Sequence, residues 1–149
     1  MNKNHVLNVG LLGIGTVGGG VYTVLKRNAA EITRRTGCAI KIVQVADKNI
    51  ELAKKVTGGD VAITDDAFAV ISNPEVDVVI ELIGGYGIAK ELMLKAIANK
   101  KHVVTANKAL LALHGNEIFS AAQAAGVIVA FEAAVAGGIP IIKDRKSVV

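Results

Sequence analysis

One run near the start of the chain constrains its fold more than any other: Val9-Gly10-Leu11-Leu12-Gly13-Ile14-Gly15-Thr16-Val17-Gly18. An apolar strand empties directly into Gly-x-Gly-x-x-Gly, and a segment of helical spacing follows. The three glycines have separate tasks. Gly13 permits a tight turn, Gly15 lets the backbone approach a diphosphate, and Gly18 lets the helix sit close on the strand. The free N–H groups and positive dipole end of that helix then face the phosphates. A glycine-rich turn without a ligand is the alternative. The strand–turn–helix context favours a dinucleotide cradle.

A length of 149 residues fits one domain. Hydrophobic residues make up 52% and aromatics only 3%, so the core must be aliphatic. Such a core suits parallel strands covered by helices. The net charge of +4 is mild. It favours an anionic cofactor but forms no basic tract, and no aromatic ladder or zinc spacing supports nucleic-acid binding. Lys143, Arg145 and Lys146 read as a solvated face or tail. Cys38 is the single cysteine, which excludes an internal disulfide and fits a reducing, cytoplasmic setting. Lys3 followed by an apolar stretch resembles a signal peptide, but the glycines from Gly13 to Gly20 would break its helix. No apolar run spans a membrane without Gly or a charge.

Periodicity then alternates strand and helix. Strands are expected at Val6 to Leu12, Ile40 to Ala46, Val61 to Ile63, Val76 to Leu82, His102 to Thr105 and Val127 to Phe131. One long helix is expected from Val17 to about Arg35, closed by Gly37. Others are expected at Ile50 to Val56, up to Ile71 behind an Asp65 or Asp66 cap, at Ala89 to Asn99, and from about Asn116 to Ala125. Gly137-Gly138 breaks the chain, and Pro140 suits the first turn of a new helix. Repeated strand–helix–strand units imply an α/β fold, a doubly wound parallel sheet of Rossmann type. Its ligands lie beyond the carboxyl ends of the strands. Residues 1–136 would form the dinucleotide-binding domain, and 137–149 a hinge and the start of a second element.

Most polar residues that break the apolar pattern fall on that one rim. Asp47 ends the second strand, where a carboxylate accepts hydrogen bonds from a ribose; capping of the next helix is the alternative. Lys48 beside it could accommodate an extra phosphate, so NAD and NADP both stay open. Ile83-Gly84-Gly85 would let a nicotinamide ribose pass close to the backbone, unless it is a plain turn. Lys108, after Thr105-Ala106-Asn107, is the candidate catalytic residue. Its ammonium could move the proton that accompanies hydride transfer or polarise a carbonyl, more readily if partly buried; a surface lysine is the alternative. His102 reads as structural, His114 as a solvated loop residue, and His5 as terminal. Glu132 reads first as a hinge carboxylate bonded to backbone and second as part of a hard-oxygen cation site.

Together these segments resemble homoserine dehydrogenase. The likeness rests on Gly10 to Gly18, on Val78-Val79-Ile80-Glu81-Leu82-Ile83-Gly84-Gly85, and on Val103-Val104-Thr105-Ala106-Asn107-Lys108-Ala109-Leu110-Leu111-Ala112. It rests most specifically on Phe131-Glu132-Ala133-Ala134-Val135-Ala136-Gly137-Gly138-Ile139-Pro140-Ile141-Ile142-Lys143. The resemblance implies NAD(P)-dependent interconversion of aspartate semialdehyde and homoserine, in a family expected to be homo-oligomeric. It implies cofactor contacts at Ile14, Thr16 and Val17, with Thr105 and Lys108 nearby. It also maps a sodium site onto Glu132, Val135, Gly137 and Ile139, which promotes the cation reading of Glu132. The family continues past Ile-Ile-Lys into a substrate and dimerisation domain, whereas here the sequence runs Lys143-Asp144-Arg145-Lys146-Ser147-Val148-Val149. The chain is therefore expected to be the cofactor part, with little or no turnover alone and with Ile139, Ile141 and Ile142 prone to self-association.

Overall fold

The computed structural model describes residues 5–132. Six parallel strands form one sheet: β1 (His5–Leu12), β2 (Cys38–Ala46), β3 (Ala62–Thr64), β4 (Val78–Glu81), β5 (His102–Thr105) and β6 (Val129–Ala130). Their spatial order is β3-β2-β1-β4-β5-β6, with every neighbouring pair parallel. The chain thus builds outward from β1 to β3, crosses over, and builds outward again from β4 to β6. That reversal leaves a crevice between β1 and β4 at the carboxyl ends of the strands, the expected ligand position.

The helices are α1 (Thr16–Arg27), α2 (Ala29–Thr36), α3 (Ile50–Thr57), α4 (Ala67–Ser72), α5 (Gly87–Ala98) and α6 (Lys108–Ala125). On one face, Val70 and Ile71 of α4, Leu92, Met93 and Ile97 of α5, and Leu110 and Ile118 of α6 pack with Leu12, Val79 and Val103. On the other, Tyr22 of α1 and Ala53 of α3 pack with Val9, Leu11, Ile42 and Val45. Adjacent Leu11 and Leu12 are both fully buried, on opposite faces, so β1 is covered on both sides. That burial explains why its sequence is a continuous apolar run.

Two helices depart from expectation. The single long helix is two, separated by Asn28 (φ −100°, ψ 12°), which closes α1 by donating its N–H to the Val24 carbonyl. Asn competes poorly in helix interiors because its side chain favours local turns. The last helix begins at Lys108, well before Asn116, because Asn107 caps it by accepting the Leu110 N–H at 3.1 Å. His114 therefore lies within α6 and not in a loop. His102 is structural as expected, its Nδ1 accepting the Ile128 N–H at 3.0 Å.

At the far end of the sheet from the crevice, Lys101 is 6% exposed. Its Nζ donates to the carbonyls of Asn73 (2.7 Å) and Val76 (2.6 Å). This clamp joins the turn before β4 to the start of β5. Burial pushes the Lys101 ammonium below the usual lysine range, partly opposed by the negative charge of Asp77. Among the described residues, no helix is long and apolar enough to cross a membrane.

Candidate functional site

The crevice begins at the turn after β1. Gly13 has φ +93°, where a side chain is strained, and its N–H donates to the Ala46 carbonyl at 2.8 Å. A Cβ on Gly18 would lie 1.9 Å from the Gly13 carbonyl oxygen, so only glycine lets α1 approach this closely. A Cβ on Gly15 would meet nothing within 4 Å. Gly15 has φ −59°, so no backbone strain demands glycine there. What its missing side chain preserves is open space above the helix terminus. Gly15 makes no side-chain cap, and no acidic residue occupies the first turn of α1. The terminus therefore presents amides and a positive dipole end to an anion. Thr16 and Val17 are exposed beside it. A diphosphate fits this cradle in charge and in space.

Ile14 is used differently from the expectation of direct contact. Its side chain is 1% exposed, in the core, and its N–H donates to Asp47 Oδ2 at 2.7 Å. Asp47 Oδ1 accepts the Asn49 N–H at 2.8 Å. The cap of α3 is Asn49, whose side chain accepts the Leu52 N–H, so the capping alternative for Asp47 falls. Asp47 instead ties the end of β2 to the glycine turn. Each carboxylate oxygen keeps a further lone pair for a ligand. Asp47 lines a cavity of about 470 Å³ with Gly13, Gly15, Lys48, Asp65 and Asp66 on one side and Ile83 and Ile88 on the other. Lys48 is exposed, and its Nζ donates to the Asp65 carbonyl at 2.9 Å.

A second cavity of about 280 Å³ opens across the glycine turn. It is lined by Val17, Glu81, Gly84, Ala106, Asn107 and Lys108 among others. Gly84 and Gly85 both have φ +77°. Thr105 is 1% exposed and its hydroxyl donates to Glu81 Oε2 at 2.7 Å, so its side chain faces inward and not toward a ligand. Asn107 Nδ2 donates to the Gly85 carbonyl at 2.7 Å. Lys108 begins α6 on this rim. It is exposed, so burial does not assist its proton transfer among the described residues.

The sequence reading brought the glycine turn, Asp47, Lys48, residues 83–85, Asn107 and Lys108 to one rim, and the structure gathers them there. It missed Glu81, fully buried at the end of β4 and bonded to three groups of that rim. A lone Glu inside the apolar run Val78 to Ile83 was the available signal. Glu132 is exposed at the last described position. Val135, Gly137 and Ile139 of the sodium expectation lie outside the described residues, as do the boundary at 136 and the apolar residues beyond it. Among the described residues, no group of three or more His, Cys, Asp or Glu could hold a metal ion.

The family model for the homoserine dehydrogenase NAD binding domain matches residues 13–132. A homoserine dehydrogenase of Pseudomonas aeruginosa is 61% identical over 137 residues, which are 92% of this chain and 31% of that protein. One from Neisseria gonorrhoeae is 57% identical over the same shares. Among solved structures, a homoserine dehydrogenase from Thiobacillus denitrificans superposes with a TM-score of 0.87 at 60% identity. That match covers 93% of this chain and 32% of the other. The chain thus spans about a third of the length of the relatives it matches.

Proposed function

The chain belongs to the homoserine dehydrogenase NAD-binding domain family, and we propose that it supplies the cofactor-binding part of an oxidoreductase that interconverts aspartate semialdehyde and homoserine. The observation that carries this reading is the open, uncapped terminus of α1 at Gly15, with Gly18 allowing the helix to reach it. In this reading, the amides of the first turn hold the diphosphate. The larger cavity takes the adenosine half and the smaller one the nicotinamide half. The bound cofactor supplies the hydride acceptor or donor. Asp47 orients the adenosine ribose through its free lone pairs. Lys108 sits where its ammonium could donate a proton to, or take one from, the oxygen of a carbonyl substrate. Glu132, with Val135, Gly137 and Ile139, would hold a sodium ion.

Three acidic residues, Asp47, Asp65 and Asp66, line the larger cavity, against the single cation of Lys48. An added ribose phosphate would meet that negative field, and the Lys48 ammonium already has a carbonyl partner. We therefore propose that NADH binds more tightly than NADPH. Calorimetric titration of the chain with each tests both statements. Tighter binding of NADH is expected. Binding of neither would remove the cofactor assignment, and tighter NADPH would reverse the preference alone.

A further inference from the structure

Resting on the cofactor reading above, we infer that Glu81 is a positioning residue for the nicotinamide half of the crevice. Its buried carboxylate shapes the rim at Ile83 and Gly84 and, through Thr105 and Asn107, sets the start of α6 that carries Lys108. Glu81 is 1% exposed. Among the described residues, it takes part in no salt bridge. A carboxylate out of water is costly without a positive partner, so its donors must compensate it. All of them come from the rim. Oε1 accepts the N–H groups of Ile83 (2.9 Å) and Gly84 (3.1 Å), and Oε2 accepts the Thr105 hydroxyl (2.7 Å).

These bonds belong to a larger circuit. The Thr105 oxygen, while donating to Glu81, accepts the Asn107 N–H at 3.0 Å. The Asn107 amide then donates to the Gly85 carbonyl, and its oxygen accepts the Leu110 N–H. The turn after β4 is thus held at both ends, by Glu81 at 83–84 and by Asn107 at 85. It needs such holding because Gly84 and Gly85 are two successive glycines in the left-handed region, with wide conformational freedom. An apolar residue at position 81 would fill the core equally well and hold none of this. The groups so fixed, Gly84, Asn107 and Lys108, line the smaller cavity. The glycine turn has its own anchors in Ala46 and Asp47. Glu81, which itself borders the smaller cavity while almost fully buried, therefore acts on one half of the crevice, through the residues that it holds.

The test compares two probes on the same chain: NADH, and ADP, which lacks the second ribose and the nicotinamide. Glu81→Gln keeps the shape but puts an NH2 where a carboxylate oxygen was. Thr105→Val removes the hydroxyl isosterically, and Thr105→Ser keeps it. Glu81→Gln and Thr105→Val should each weaken NADH about tenfold, while ADP changes by less than about twofold and Thr105→Ser matches the parent. Unchanged NADH affinity in both variants, or equal loss of NADH and ADP, would overturn the inference and leave Glu81 a residue of the fold. Should Glu81→Gln fail to fold, the Thr105 pair decides alone. A parent chain that binds neither probe would instead remove the cofactor reading itself.

Discussion

The two ends of the crevice are built by different means. The glycine-turn end is written in adjacent residues. Gly13, Gly15 and Gly18 shape it from six consecutive positions, and its remote anchors are two neighbouring residues at the end of β2, Ala46 on Gly13 and Asp47 on Ile14. The other end is assembled from separate strands. Glu81 meets Thr105 across 24 residues, and Asn107 meets Gly85 across 22. The first end depends on the absence of atoms, the second on the presence of hydrogen bonds. Damage to the first should therefore be steric and total. Damage to the second should be graded and confined to the part of a ligand that lies there.

The sharpest break is Gly18→Ala. Its new Cβ would sit 1.9 Å from a backbone oxygen, which cannot rotate away as a side chain can. Separating α1 from the turn should cost about 3 kcal/mol, the upper range for overpacking. For a chain of this size that lowers the unfolding midpoint by about 10 °C. A calorimetric melt within a degree of the parent would show that the close approach is not required.

Gly15→Val separates space for a ligand from space for the fold. The new Cβ meets nothing within 4 Å, and φ −59° suits it, so stability should move by no more than about 0.5 kcal/mol. Binding of NADH and of ADP should fall together, by about 100-fold or more, equivalent to about 2.7 kcal/mol. The joint loss contrasts with the selective loss expected at Glu81. If Gly15→Val bound NADH like the parent, the diphosphate would not lie at the terminus of α1.

Asp47→Ser tests whether the glycine-turn end also selects its ribose. The substitution removes a charge from the larger cavity and weakens the hold on Ile14. The ratio of NADPH to NADH affinity should rise about tenfold. A ratio that stays fixed while both affinities fall would make Asp47 an anchor of the turn only.

The same contrast governs what could be read from the chain. The parallel sheet, the strand ends and the glycine turn were legible because each is signalled locally, by an apolar run, by a glycine, or by both. The start of α6 was legible in principle, since Asn107 precedes Lys-Ala-Leu-Leu-Ala, a cap followed by good helix formers. Expecting a loop there misplaced the first eight residues of the helix and His114 with them. The resemblance puts Thr105 near the cofactor, whereas its side chain is buried on Glu81. Its inward turn depends on Glu81, a partner on another strand that no local pattern discloses. Ile14 likewise sits within the motif, yet its N–H is taken by a carboxylate 33 residues away. Local spacing finds the rim but cannot say which groups on it are already engaged.

Lys108→Ala should have the smallest effect on binding and therefore tests the division most finely. The side chain is exposed and lies past the Asn107 cap. Its removal leaves the Glu81–Thr105–Asn107 circuit intact, because Lys108 contributes no side-chain bond to it. NADH affinity should change by less than about twofold. In a chain extended to the full length of its relatives, reduction of aspartate semialdehyde should fall by about 100-fold or more, the usual share of a proton-transferring group. Unaltered turnover would place the proton donor elsewhere. A tenfold loss of NADH binding would instead make Lys108 part of the cofactor's hold, and the nicotinamide end would then rest on charge as well as on the buried circuit behind it.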